Sequence, residues 1–112
     1  FNGTHACLLV AALATGNLDL LAEATQDRLH QRYRAAYVPG FDAVISASQR
    51  AGAIATVLSG AGPTVIALID TDRCDGHAIA AAMEGAFTAA GLASKARVLA
   101  PRAHGVAVTV AP

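Results

Sequence analysis

At 112 residues, 54% hydrophobic and 14% charged, the chain is long enough for one domain with its own core and too apolar for a disordered segment. Eight Lys and Arg balance eight Asp and Glu, and no basic stripe or acidic tail stands out, so neither a nucleic-acid binder nor a polyanionic module is indicated. The longest apolar run, Ala6 to Ala14, is far short of the roughly 20 residues that a membrane-spanning helix needs.

The opening Phe1-Asn2-Gly3-Thr4 has neither an initiator methionine nor the charged-then-apolar layout of a signal peptide, so an earlier part of the polypeptide is expected upstream. Ala6 to Ala14 is apolar on every side and predicts a helix covered all round, ended by Gly16. Cys7 lies in this run and Cys74 far from it; both are expected to be buried free thiols of a reducing, cytoplasmic compartment.

Asn17 is a candidate N-cap with Asp19 in the first turn, and Leu18, Leu21, Ala22, Thr25 and Leu29 recur at helical spacing. A second helix is therefore expected to reach about His30. Phe41, Val44, Ile45 and Ser48 mark a third, opened by Pro39-Gly40 and closed by Gly52. Two apolar strands follow, Ile54 to Leu58 and Val65 to Ile69, and a fourth helix is expected from about Cys74 to Ala90, with Ile79, Ala82, Met83 and Ala86 inward.

Lys95 to Ala100 reads as a strand, and Val106 to Val110 alternates with period two. The order predicts an α+β fold of ferredoxin-like shape, with helices on one face of a mainly antiparallel four-stranded sheet, in a single domain spanning residues 1–112.

Between the first two strands, Ser59-Gly60-Ala61-Gly62-Pro63-Thr64 places two glycines one residue apart, which suits a turn that another group must approach closely. It lacks the Gly-Lys-Ser/Thr ending of a Walker loop. Asp70, Asp72, Asp75 and Gly76 resemble the start of a calcium loop, but Ala81 stands where the twelfth-position glutamate belongs, so no calcium site is expected. No zinc-ligand spacing is present, and His77 and His104 read as ordinary surface residues. Arg34 ends a run holding Arg28 and Arg32; its planar fork is suited to grip a carboxylate through two parallel hydrogen bonds.

Asp27-Arg28-Leu29-His30-Gln31-Arg32-Tyr33-Arg34, then Pro39-Gly40-Phe41, then a helix, then the Ser59–Thr64 turn, follow in an order that resembles the homoserine kinases of the GHMP kinase superfamily. Arg32 stands where that family usually has proline, and Gly3-Thr4-His5 where serine and arginine are usual. The resemblance implies the carboxyl-terminal domain of an enzyme that transfers the γ-phosphoryl group of ATP to L-homoserine in threonine biosynthesis. It implies that Arg34 and His30 bind substrate and that Ser59, Gly60, Ala61 and Gly62 face a phosphate-binding loop; the plainer alternative for His30 and Gln31 is that they cap and brace the helix end so that Arg34 points correctly.

ATP and magnesium would be held mainly by an amino-terminal domain outside this chain, no catalytic or metal-binding residue is expected here, and these residues alone would be inactive. A homodimer is the expected assembly. Other readings are a second GHMP kinase, such as diphosphocytidyl-methylerythritol kinase, or a non-catalytic module that binds a small amino acid.

Overall fold

The computed structural model describes residues 1–110. Helix α1 spans Asn2–Thr15 and stops at Gly16, whose φ of 71° is the left-handed conformation that glycine reaches without a Cβ penalty. The expectation that α1 is covered all round does not hold. Ala12 is its buried residue, Val10 is 67% and Leu13 57% exposed, and the exposed Cys7 is likewise not the buried thiol expected. Among the described residues, α1 packs chiefly on the short helical pieces that follow it, which leaves its far side open.

The single second helix expected to reach His30 is instead a series of short pieces. A 3₁₀ turn at Leu18–Leu20 leads into α2, Leu21–Ala24; after a break come α3, Gln31–Arg34, and a second 3₁₀ turn, Ala35–Tyr37. Side chains cause the break by competing for the backbone. The Thr25 hydroxyl donates to the Leu21 carbonyl at 2.8 Å, and the Asp27 carboxylate accepts the N–H groups of Leu29, His30 and Gln31. Those donors are no longer free to continue the first helix and instead begin the next.

Helix α4, Phe41–Arg50, starts after Gly40, which has φ 77° and packs so tightly that a Cβ there would lie 2.5 Å from that of Ala90. Strands β1, Ala55–Leu58, and β2, Val65–Leu68, pair antiparallel with Leu58 opposite Val65. Helix α5, Gly76–Ala89, is capped by Asp75, which accepts from the His77 N–H at 2.9 Å.

Val65, Ala67 and Ile69 share one face of the hairpin and pack with Val44, Ala53, Ile79 and Met83, so α4 and α5 cover that face. Val38, Phe41 and Leu58 form an adjoining cluster, joined to the first by Val65 and Phe87. Within the core, the Ser48 and Thr56 hydroxyls meet at 2.6 Å, and Ser48 donates to the Ile45 carbonyl at 2.8 Å. A hydroxyl has one hydrogen to give, so Thr56 is the donor of the pair.

The α+β class with helices on one sheet face stands, but the four-stranded sheet does not: among the described residues the sheet has two strands. Residues 95–100 and 106–110 have the composition of strands and no ladder partner. The Ala96 N–H is taken by the Glu84 carboxylate on α5, and Val98 lies against Gly76, within 3.1 Å of where a Cβ would stand. Val106 is 93% exposed, so its alternating stretch has no sheet face to bury against.

Candidate functional site

The Gly60 and Gly62 turn closes on itself through two backbone bonds, Ser59 N–H to the Thr64 carbonyl at 2.8 Å and Gly62 N–H to the Ser59 carbonyl at 3.1 Å. Both glycines are left-handed, Gly60 at φ 57° and Gly62 at φ 76°. Their roles differ beyond that. A Cβ on Gly62 would touch Leu58 Cδ2 at 3.4 Å and Val38 Cγ2 at 3.6 Å, whereas one on Gly60 would meet open space.

Arg34 comes to this turn from α3. Its Nε donates to the Ala61 carbonyl at 3.3 Å, and its guanidinium carbon lies 6.0 Å from the centre of the Tyr37 ring. The side chain is exposed, and among the described residues its two terminal nitrogens make no hydrogen bond. A fork held along its Nε edge and open at its end keeps two parallel donors for a carboxylate.

One helical turn earlier, Gln31 Oε1 accepts the Leu58 N–H at 2.9 Å, which ties α3 to the end of β1. Gln31 and Arg34 therefore hold the two sides of the same turn.

His30 sits at the start of α3 with its ring exposed and, among the described residues, without a hydrogen bond; its carbonyl accepts from Tyr33 and Arg34 N–H at 3.1 and 3.2 Å. The structure thus brings Arg34 to Ser59, Gly60, Ala61 and Gly62, and leaves His30 beside the group with its ring turned to solvent. Arg32 stacks on Tyr33 with its guanidinium 4.6 Å from the ring centre and donates to the Tyr33 hydroxyl. As the second residue of α3, Arg32 has one of the N–H groups that a first helical turn leaves without an internal partner, so a proline would cost no backbone bond there.

Sequence reasoning missed Asp27 and Asn2 as parts of this region. The Asp27 carboxylate accepts from the Asn2 side-chain amide and from the N–H groups of Leu29 at 2.7 Å, His30 at 3.1 Å and Gln31 at 2.6 Å; Asn2 Oδ1 in turn accepts the Arg28 N–H at 3.1 Å. The Asn2 bond, followed by those three N–H groups, outweighs partial desolvation and lowers the Asp27 pKa to about 2. The available signal was an aspartate four residues ahead of Gln31, a helix-capping residue type inside a supposed helix.

His5 also proves structural. It stacks on Phe1 at 3.8 Å, bonds Glu23 at 3.1 Å, and Arg28 covers the other side of the Phe1 ring.

Among the described residues, no group of three or more His, Cys, Asp or Glu side chains gathers closely enough to hold a metal ion. The Asp27 carboxylate is committed to four donors, so these residues do not fit a magnesium site. A cleft of about 440 Å³ is lined by Tyr37, Pro63, Val65, Phe87 and Lys95, and Arg34 does not line it.

A family model described as GHMP kinases C terminal matches residues 9–89, a stretch that includes α3, the glycine turn and both core helices. The chain belongs to this family. Homoserine kinase from a Synechococcus species is 48% identical over 100 residues, covering 89% of this chain and 32% of that protein. Homoserine kinase from Moorella thermoacetica is 43% identical over 110 residues, covering 96% of this chain and 36% of that protein. The crystal structure of homoserine kinase from Cytophaga hutchinsonii superposes with a TM-score of 0.67 at 32% identity, over 77% of this chain and 27% of that one. The GHMP kinase C-terminal chain thus spans about a third of the length of the curated relatives it matches.

Proposed function

We propose that this chain is the carboxyl-terminal domain of a homoserine kinase and supplies the grip on the amino-acid substrate. The carrying observation is the contact of Arg34 with the glycine turn, 3.3 Å from Nε to the Ala61 carbonyl, in a chain 48% identical to a homoserine kinase.

Phosphoryl transfer asks little covalent chemistry of a protein and much positioning and charge stabilisation. On this reading the homoserine carboxylate docks on the open end of the Arg34 fork, which orients the side-chain hydroxyl toward the γ-phosphorus of ATP. The hydroxyl oxygen forms the new P–O bond as the bond to ADP breaks and the hydroxyl proton passes to water, giving ADP and O-phospho-L-homoserine. Exposed N–H groups around Gly60, where a Cβ would meet nothing of this chain, are available to the phosphate region.

ATP and its magnesium belong to an amino-terminal domain of the same polypeptide, as the resemblance to homoserine kinases implies; among the described residues no group of three or more His, Cys, Asp or Glu gathers to hold an ion. The assembly is a homodimer in the cytoplasm. No helix among the described residues is long and apolar enough to cross a membrane.

Assay of the full-length protein with ATP and a panel of acceptors tests the reading. Phosphorylation of L-homoserine, with no turnover of diphosphocytidyl-methylerythritol, is the expected outcome; binding of homoserine or threonine with no ATP-dependent product contradicts it.

A further inference from the structure

Helix α3 is four residues long, and helices shorter than about 12 residues are marginal in water, so its conformation depends on what holds its ends. Asp27 holds the amino end by accepting from Leu29, His30 and Gln31 N–H, while Asn2 steadies the same carboxylate and fastens Arg28. We propose that Asp27 is a positioning residue for the amino-acid substrate, setting α3 so that Gln31 and Arg34 both stay fastened to the glycine turn. The proposal rests on the reading of Arg34 as the carboxylate grip.

Residues 31 and 34 are three apart on a helix and share a face. The Ser59 N–H crosses the hairpin to the Thr64 carbonyl, so by the alternation of an antiparallel ladder the N–H of Leu58 points off the outer edge of β1. Gln31 Oε1 meets that N–H as the carbonyl of a neighbouring strand would, at 2.9 Å. Arg34 fixes the far side of the turn through the Ala61 carbonyl.

Release of the amino end of α3 therefore loosens two contacts at once, on opposite sides of Ser59 and Gly60. Asp27 itself touches no substrate. Its effect reaches the reaction through where the guanidinium stands, and a small misplacement of a positioning group is enough to lower a rate.

The test uses full-length Asp27→Ala and Asp27→Asn, with steady-state kinetics for both substrates, thermal melts and amide hydrogen exchange at Leu58. For Asp27→Ala the expected result is a loss of roughly 10- to 100-fold in kcat/KM for homoserine with KM for ATP within about twofold, on the scale by which a slight misplacement of a positioning group lowers a rate. The Leu58 amide should exchange faster while the Ser59 amide keeps its protection. Asp27→Asn retains one acceptor oxygen and should fall between wild type and Asp27→Ala, which keeps the test open if the alanine variant folds poorly.

Wild-type homoserine kinetics in both variants, equal losses for the two substrates, or unchanged Leu58 exchange would overturn the proposal. If the wild-type enzyme phosphorylates no homoserine, the substrate assignment fails, and Leu58 exchange still decides whether Asp27 controls the fastening of α3.

Discussion

Arg34 and Ala61 are 27 positions apart in sequence and joined at 3.3 Å between Nε and a carbonyl oxygen. The contact joins a short helix and a strand turn, and Gln31 repeats it on the other side of the turn at Leu58. Two side-chain hydrogen bonds from α3 thus tie it to the glycine turn.

Gly62→Val should abolish most activity of the full-length enzyme and leave most of the fold. A β-branched residue is disfavoured at φ 76°, and its side chain would press on Leu58 and Val38, already 3.4 and 3.6 Å from a Cβ. Kinetics and circular dichroism on the same sample check this. Near-normal turnover would reduce the turn to a plain hairpin connection.

Asp27 gives the fold an acid-sensitive contribution. Its pKa is lowered from 3.8 to about 2, so its stabilisation is fully present above pH 3.8 and is lost as the pH falls toward about 2. Melting temperatures of wild type and Asp27→Asn should differ most near neutrality and converge across that interval. A gap that widens on acidification would contradict the hydrogen-bonded carboxylate.

Ser48→Ala should cost about 1–3 kcal/mol, because it strips the buried Thr56 hydroxyl of its acceptor. Ser48→Ala combined with Thr56→Val removes both partners and should recover part of that loss. Denaturant unfolding of the three variants and wild type measures it, and simple additivity of the two changes would show that the hydroxyls are not coupled.

Much of this was legible in the sequence where periodicity and punctuation agreed. Phe41, Val44 and Ser48 behind Gly40 predict α4, and all three are buried; the helix expected from about Cys74 to Ala90 is α5, Gly76–Ala89; the hairpin lies within a residue or two of its expected bounds. The continuous second helix failed because apolar spacing does not register a carboxylate gathering N–H groups, as Asp27 does. Strands at 95–100 and 106–110 failed because alternation describes a face, whereas a strand also needs an edge to pair with. For α1, apolarity all round implies burial only where other elements surround it, and Leu13 stays 57% exposed.

At the site, Arg34 and the glycine turn were found from their residue types and order; Asn2 escaped because its bond to Asp27 spans 25 positions, and Asp27 because its capping signal lay inside a stretch whose apolar spacing read as one helix.

The most direct measurement is steady-state kinetics of full-length Arg34→Ala for homoserine and for ATP, with melts to confirm folding. Arg34 is exposed in this chain, and a hydrogen bond to a charged group contributes about 1.5–3 kcal/mol, so kcat/KM for homoserine should fall roughly 10- to 150-fold. Arg34→Lys should restore little, because an ammonium has no fork, and KM for ATP should hardly change. Unchanged homoserine kinetics, or an equal loss in ATP binding, would contradict the claim that this domain grips the amino acid.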